Sequence, residues 1–319
     1  MSKISNKLFA DYESKHIIMT FPSMHNKEYY YDELVSIYIK LCNIFSMNNI
    51  KQTIVVNNKD SHYKKFLNSI NAKINVLIYN CNDIWIRDYY PKIYIHNHDK
   101  RTINFDYNAY GEKYRYVEDN DFKDFYKIYA SELDLKNIIF EGGNLEFSSK
   151  GVLITNKNSF IKNNINLKED DIFLVLNDLK KKIDIPELYI LNSYPLLGDD
   201  TNGHIDNLVR FISDDTLLYF ASLDKTYCNY DIAYELEQQI RIIHKKSKVI
   251  KNIIPIYHSE NDTFIKNNNI YPYSKLNFIA TKNCFIFPTI KNNESTINND
   301  LKILPIKKNL YTINCEASL

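Results

Sequence analysis

Apolar residues recur at helical spacing in four stretches of this chain. Leu34, Ile37, Leu41, Ile44 and Phe45 fall on one face, as do Phe122, Phe125, Tyr126, Tyr129 and Leu133. Ile172, Val175, Leu176, Leu179 and Ile183 make a third stripe, and Ile232, Leu236, Ile240 and Ile243 a fourth. A shorter, more polar helix is predicted across 60–70. Between the stripes lie short runs of β-branched and aromatic residues that read as strands: His16–Phe21, Thr53–Val56, Asn75–Tyr79, Lys92–His96, Asn137–Phe140, Gly151–Thr155, Glu187–Leu191, Leu208–Ile212, Leu217–Phe220, Asn277–Ala280 and Cys284–Phe287. A further strand-like run, Asn309 to Ile313, precedes Cys315. Strands outnumber helices and the two alternate, which argues for an α/β architecture of repeated small sheet-plus-helix units. No sequence repeat is visible and no Pro/Gly/Ser-rich linker divides the chain, so one domain over 1–319 is expected. The Asn-rich stretches 261–269 and 291–300 read as surface loops.

Length and composition narrow the function. The chain has 319 residues, 45 % hydrophobic and 25 % charged, enough for a large core. Forty basic side chains against 39 acidic ones leave a formal net charge of +1, which gives no reason to expect nucleic acid or a membrane surface as partner. The N-terminal residues lack a secretory apolar stretch, and no run approaches about 18 apolar residues. Five widely spaced cysteines, with no Cys-x-x-Cys pair, read as reduced thiols in a cytoplasmic protein.

Glycine is scarce. An average chain holds about 7 %; here there are six. Gly142 and Gly143 follow Glu141, Gly198 and Gly203 flank the segment before His204, and Gly111 ends Tyr107-Asn108-Ala109-Tyr110-Gly111. A glycine kept where Asn and Lys have taken most turns marks backbone that tolerates no Cβ. The single tryptophan, Trp85, lies in Asp83-Ile84-Trp85-Ile86-Arg87-Asp88. Rare residues therefore gather around carboxylates, a histidine and an arginine. His204 and Asp206, two apart, would share a side in an extended segment. A thiol, a histidine and several carboxylates are the components of covalent catalysis at a cationic carbon. Carboxylates grip a planar guanidinium through paired, charge-assisted hydrogen bonds. Each component also has a structural reading: Arg87–Asp88 as an ion pair, Glu-Gly-Gly as a turn, Gly-His-x-Asp as a metal pair or a buried histidine. His96-x-His98 lacks a third ligand, so no metal is assigned there.

In order and combination these segments resemble the agmatine deiminase and bacterial peptidyl-arginine deiminase group of the guanidine-modifying superfamily. Ala10-Asp11-Tyr12-Glu13 with Met19-Thr20-Phe21-Pro22 is similar to its "AEWE…WMAWP", and Asp83 to Asp88 with Pro91 to "DDxWxRDxGP". Phe105 to Gly111 is similar to "FNxWG", and Glu141-Gly142-Gly143 to "EGG". Gly198-Asp199-Asp200-Thr201-Asn202-Gly203-His204-Ile205-Asp206-Asn207 is close to "GDxTxGHxDN", and Tyr273 to Phe278 with Pro288 to "SYxNF…P". The resemblance implies a fivefold pseudosymmetric α/β-propeller of ββαβ-type modules around a central channel. It implies Cys315 as nucleophile, His204 as general acid/base, Asp88 and Asp206 as guanidinium clamp, and Glu141 beside them. Trp85, Asp83, Asn144 and Tyr110 would line the substrate site. The family uses no metal or organic cofactor, and similar enzymes form dimers.

The implied reaction is hydrolytic deimination of a small guanidino compound. Agmatine is the first choice, giving N-carbamoylputrescine and ammonia on the way to putrescine and polyamines. Arginine or peptidyl-arginine deimination, amidino transfer, and a catalytically decayed guanidine-binding protein are the alternatives. Asp88, Asp206 and Glu141 should raise the pKa of the free Cys315 thiol, and a bound cation should lower it. The family's glycine-rich "GGGxxHC" is replaced here by a stretch ending Asn314-Cys315. Tyr90 stands for a glycine, and Ile18, Phe21 and Tyr110 for tryptophans. Those changes fall on the pocket wall, where the far end of a substrate is read.

Overall fold

Strand Val152–Asn156 is buried along its whole length, as is Thr216–Ala221. Such strands need cover on both faces, and the amphipathic helices supply it. The structure, a computed structural model, describes residues 7–23, 31–58, 61–70, 72–96, 99–126, 132–293 and 297–318.

Five sheets of three or four strands follow one another along the chain. In the first, His16–Thr20, Lys51–Val56 and Ile74–Ile78 run parallel, joined through helices Tyr31–Met47 and His62–Ser69. The other four repeat one order: an antiparallel pair, then a helical crossover to a parallel third strand. These are Lys92–His96, Asp99–Asp106 and Glu132–Ile139, with Lys7–Leu8 added at the edge; Glu146–Ser148, Val152–Asn156 and Glu187–Leu191; Val209–Phe211, Thr216–Ala221 and Asn252–Tyr257; and Ile279–Ala280, Cys284–Thr289 and Asn309–Asn314. Parallel neighbours need such crossovers because a tight turn cannot return the chain to the same end. Residues that carry chemistry sit just past the carboxyl ends of these strands: Asp83 and Asp88, Tyr110, Glu141 and Cys315 follow the first, second and fifth sheets' parallel strands. Loops there are held by the sheets yet remain free to carry polar side chains.

The helical stripes bury as their spacing predicts. Leu34, Tyr38, Leu41, Cys42 and Phe45 face one core; Ile172, Leu176 and Leu179 face another; Ala233, Leu236, Ile240 and Ile243 a third. Each such side chain contributes about 2 kcal/mol by leaving water. One stripe is shorter than its periodicity suggests. The helix is Val117–Phe125, and Tyr126 leaves helical geometry (φ −101°, ψ 66°). Tyr129 lies outside the described residues, and Leu133 belongs to strand Glu132–Ile139, paired with Ile103. Neither Asn-rich stretch is a plain surface loop. Residues 264–271 form a hairpin whose turn residues Asn267 and Asn268 adopt φ +50° and +64°, the left-handed pair a tight turn demands. Helix Ile297–Lys302 occupies part of the second stretch, and buried Asn293 donates to Asp262 and Tyr273. Among the described residues no helix is long and apolar enough to cross a membrane.

Candidate active site

His204 follows Gly203, whose φ of +94° suits glycine, and leads into a short 3-10 turn, Ile205–Asn207. The segment is therefore not extended, and Asp206 reaches different partners from His204. Both imidazole nitrogens meet carboxylates. Nε2 lies 2.6 Å from Glu141 Oε2, and Nδ1 lies 3.6 Å from Asp88 Oδ1. Burial alone would strip the imidazole of its charge. Asp88, the hydrogen bond to Glu141 and the nearby Asp206 overcome that penalty, and its pKa is pushed up to about 10.

The two flanking carboxylates are themselves held from several directions. Glu141 is 1 % exposed; its Oε1 accepts from the Tyr110 backbone N–H at 2.9 Å and its Oε2 from Asn163 Nδ2 at 2.6 Å. Asp88 comes from the four-residue helix Ile86–Tyr89; its Oδ1 accepts from Gly143 N–H at 2.6 Å and its Oδ2 from the Tyr110 hydroxyl at 3.0 Å. Burial, opposed by His204 and reinforced by Asp206 and Glu141, raises the Asp88 pKa. Gly143 shows why glycine is kept here. A Cβ would collide with His204 Nδ1 and come within 2.7 Å of Asp88 Oδ1. Gly151 and Gly198 lie outside this cluster, the first against Pro186 and the second against the Ile270 backbone.

Arg87 does not pair with its neighbour Asp88. Its Nε donates to Asp206 Oδ2 at 2.9 Å and its Nη1 to Asp11 Oδ2 at 2.5 Å, while Nη2 lies 3.6 Å from Glu146. Arg210 completes the cluster, with Nη2 on Asp11, Nε 3.1 Å from Glu146, and its guanidinium 4.7 Å over the Phe278 ring. Burial opposes the charge on Asp11, yet Arg87, Arg210 and Lys92 hold it well below the usual carboxylate range. Asp206 is thus a fixed carboxylate whose Oδ1 takes no hydrogen bond from the described residues. Sequence reasoning missed Glu146 and Arg210. Their only signal was charge inside strand-like apolar sequence.

The remaining expected site residues divide. Asp83 accepts from Trp85 N–H and from the Tyr107 hydroxyl at 3.0 Å, and burial pushes its pKa up to about 6. Trp85 is 46 % exposed. Asn144 spends both ends of its amide on the Asn156 backbone, so it braces the third sheet. Tyr110 is buried against His204, with ring centroids 5.6 Å apart. His98 lies outside the described residues.

Cys315 follows the last strand of the fifth sheet. Its N–H and Sγ both donate to the Thr289 carbonyl, at 2.9 and 3.3 Å. Burial first, and Glu316 second, push the thiol up to about 12. The direction is the expected one but the source differs, because Asp88, Asp206 and Glu141 do not figure in it. No hydrogen bond among the described residues joins Cys315 to His204. The segment 273–277 borders both: Ser274 and Asn277 donate to Asn207, and the Tyr273 hydroxyl donates to the Pro288 carbonyl beside Thr289.

Residues 9–317 match the family model of the Porphyromonas-type peptidyl-arginine deiminase. The chain belongs to that family. Solved structures share its fold. A C. jejuni agmatine deiminase with substrate bound superposes with TM-score 0.83 at 21 % identity, covering 98 % of this chain and 92 % of that one. The agmatine deiminase of Enterococcus faecalis gives 0.82 at 16 % identity, with 98 % and 92 % covered. The mixed α/β fold is therefore that of agmatine deiminase structures. Among sequence relatives, the agmatine deiminase of Pseudomonas syringae pv. tomato is 28 % identical over 170 residues, 49 % of this chain and 44 % of its own length. The chain spans about half the length of the curated relatives it matches first.

Proposed function

We propose that this protein hydrolyses the C–N bond of a small guanidino substrate, with agmatine as first choice, through a covalent intermediate on Cys315. The observation that carries the reading is His204 held between Glu141 and Asp88, with both carboxylates buried. Five sheets of three or four strands in succession, four of them built on one order, support the fivefold propeller in a single domain.

A guanidinium carbon is a poor electrophile because its charge is spread over three nitrogens. Asp88 and the open Oδ1 of Asp206 grip two of those nitrogens and fix the carbon against the thiol. The bound cation draws the thiol proton off to solvent, and the thiolate adds to the carbon. His204 carries a proton at neutral pH, so it enters the cycle as the acid. It protonates the departing nitrogen, which leaves as ammonia and leaves an amidino group on sulfur. The neutral imidazole then takes a proton from water as that water adds to the carbon. The C–S bond breaks, the thiolate departs, and a ureido product remains.

A mass-spectrometric screen of agmatine, arginine and arginine-terminated peptides tests this reading. The product must carry the mass change of an imine NH replaced by oxygen, and the compound converted names the substrate. Conversion of none, with the protein folded, would remove the proposal.

A further inference from the structure

Tyr110 stands in a run of four consecutive residues with positive φ: Ala109 +48°, Tyr110 +62°, Gly111 +88° and Glu112 +64°. Only one of the four is glycine, and L side chains avoid this region because Cβ crowds the backbone. Asn108 supports the turn at its base, accepting from Gly111 N–H at 3.1 Å and donating to the Asn163 carbonyl at 3.1 Å.

The turn achieves one placement. The Tyr110 N–H donates to Glu141 Oε1 at 2.9 Å, and its hydroxyl donates to Asp88 Oδ2 at 3.0 Å. Its carbonyl accepts from Asn202 Nδ2 at 3.1 Å, and its ring meets the His204 ring steeply inclined. A single residue therefore reaches both carboxylates that flank the imidazole, one through the main chain and one through the phenol. The hydroxyl has only one hydrogen. Asp83 Oδ2 lies farther off, at 3.4 Å, and is already supplied by Tyr107 at 3.0 Å, so the hydrogen goes to Asp88.

We propose that Tyr110 is a positioning residue: its left-handed turn fixes Glu141 through the main chain and Asp88 through the phenol, on either side of His204. The inference deepens the deiminase reading and rests on it for its catalytic meaning. The placement itself can be read without turnover. Asp88 is faced by His204, Asp206, Glu141, Lys92, Asp83 and Tyr107 as well as Tyr110. His204 is faced by Asp88, Glu141, Asp206 and Asp199. Burial, Asp206 and Glu141 raise the Asp88 pKa, and a hydrogen bond donated to its carboxylate opposes them while fixing its orientation. Without the phenol's hold, Asp88 is free to turn away from Nδ1, and His204 then holds its own proton less tightly.

Phenylalanine keeps the ring and the main-chain bond to Glu141 and removes only the O–H. The test is the titration of the His204 imidazole, followed by NMR on histidine-labelled protein, in the wild type, Tyr110→Phe, Tyr110→Trp and Tyr107→Phe. Both Tyr110 variants should move the His204 titration down by about one pH unit, as the anion beside Nδ1 loosens. Tyr107→Phe, whose lost hydroxyl donates to Asp83 and makes no hydrogen bond to Asp88, should move it less. In turnover, Tyr110→Phe should lower kcat far more than it changes KM and shift the alkaline limb of the rate profile downward. An unchanged His204 titration in both Tyr110 variants overturns the proposal, as does an equal shift in Tyr107→Phe. A protein that shows the shift but converts no guanidino compound keeps this role for Tyr110 and loses the deiminase reading.

Discussion

Arg87 holds Asp206 by a hydrogen bond from Nε to Oδ2 of 2.9 Å, so a guanidinium of the protein's own fixes one carboxylate of the proposed clamp. The same side chain ties Asp11 from the first residues of the fold to the site. Arg87→Ala leaves Asp206, Asp11 and Glu146 with less compensation. It should cost about 2 kcal/mol in stability, because Arg87 is half-buried but its loss strands the buried Asp206 and Glu146. Arg87→Lys should recover part of the stability, yet little of the activity, because an ammonium cannot reproduce the fork. Denaturant unfolding beside steady-state rates separates the two effects.

Gly143 leaves no room for a Cβ beside His204 and Asp88. Gly143→Ala should lower kcat by about 10²-fold, because a displaced His204 or Asp88 misaligns the reacting groups. Gly151→Ala, at a glycine far from the imidazole, should disturb stability and not the chemistry. Equal losses of kcat in the two variants would mean that Gly143 acts only through folding.

Cys315 should be an unreactive thiol in the free protein. Its acidity is suppressed by burial and then by Glu316, whose Oε1 accepts from Lys291 N–H. Alkylation by iodoacetamide should therefore be slow near neutrality and rise steeply with pH. Glu316→Gln keeps the acceptor and removes the charge, and should speed alkylation about threefold to tenfold. Guanidinium ion bound in the site should speed it too. A rate indifferent to both would detach the thiol from this electrostatic account.

His204 also makes stability depend on pH. Its pKa rises from 6.5 to about 10 on folding. Between those values the folded protein keeps a proton that the unfolded chain has lost. The stabilisation is therefore complete below pH 6.5 and disappears as the pH climbs through about 10. The denaturant midpoint should fall across that window in the wild type. His204→Gln should be less stable at the acid end and nearly flat across it.

Much of the fold was readable because each helical stripe buries one face and each strand run is rich in branched or aromatic residues. Lys92–His96 and Glu187–Leu191 fall on their expected bounds. Other elements were hidden by physical causes. Asp99–Asp106 opens on three charged residues that mask its strand character, and Asn252–Tyr257 contains Pro255, tolerated because the strand lies at a sheet edge. At the site, glycine scarcity pointed to Gly143 and Gly203 for the correct reason, a backbone too close for a Cβ or turned left-handed. The Arg87 cluster was not readable. Its members come from residues 11, 87, 146, 206 and 210, and only the folded chain brings those charges together.

Ammonia release from agmatine, measured for the wild type and for Cys315→Ala under identical conditions, bears most directly on the covalent mechanism. The wild type should release ammonia in step with a ureido product, and Cys315→Ala should release none while still binding guanidinium. Release by Cys315→Ala at the wild-type rate would contradict the mechanism, because no sulfur would then be needed at the reacting carbon.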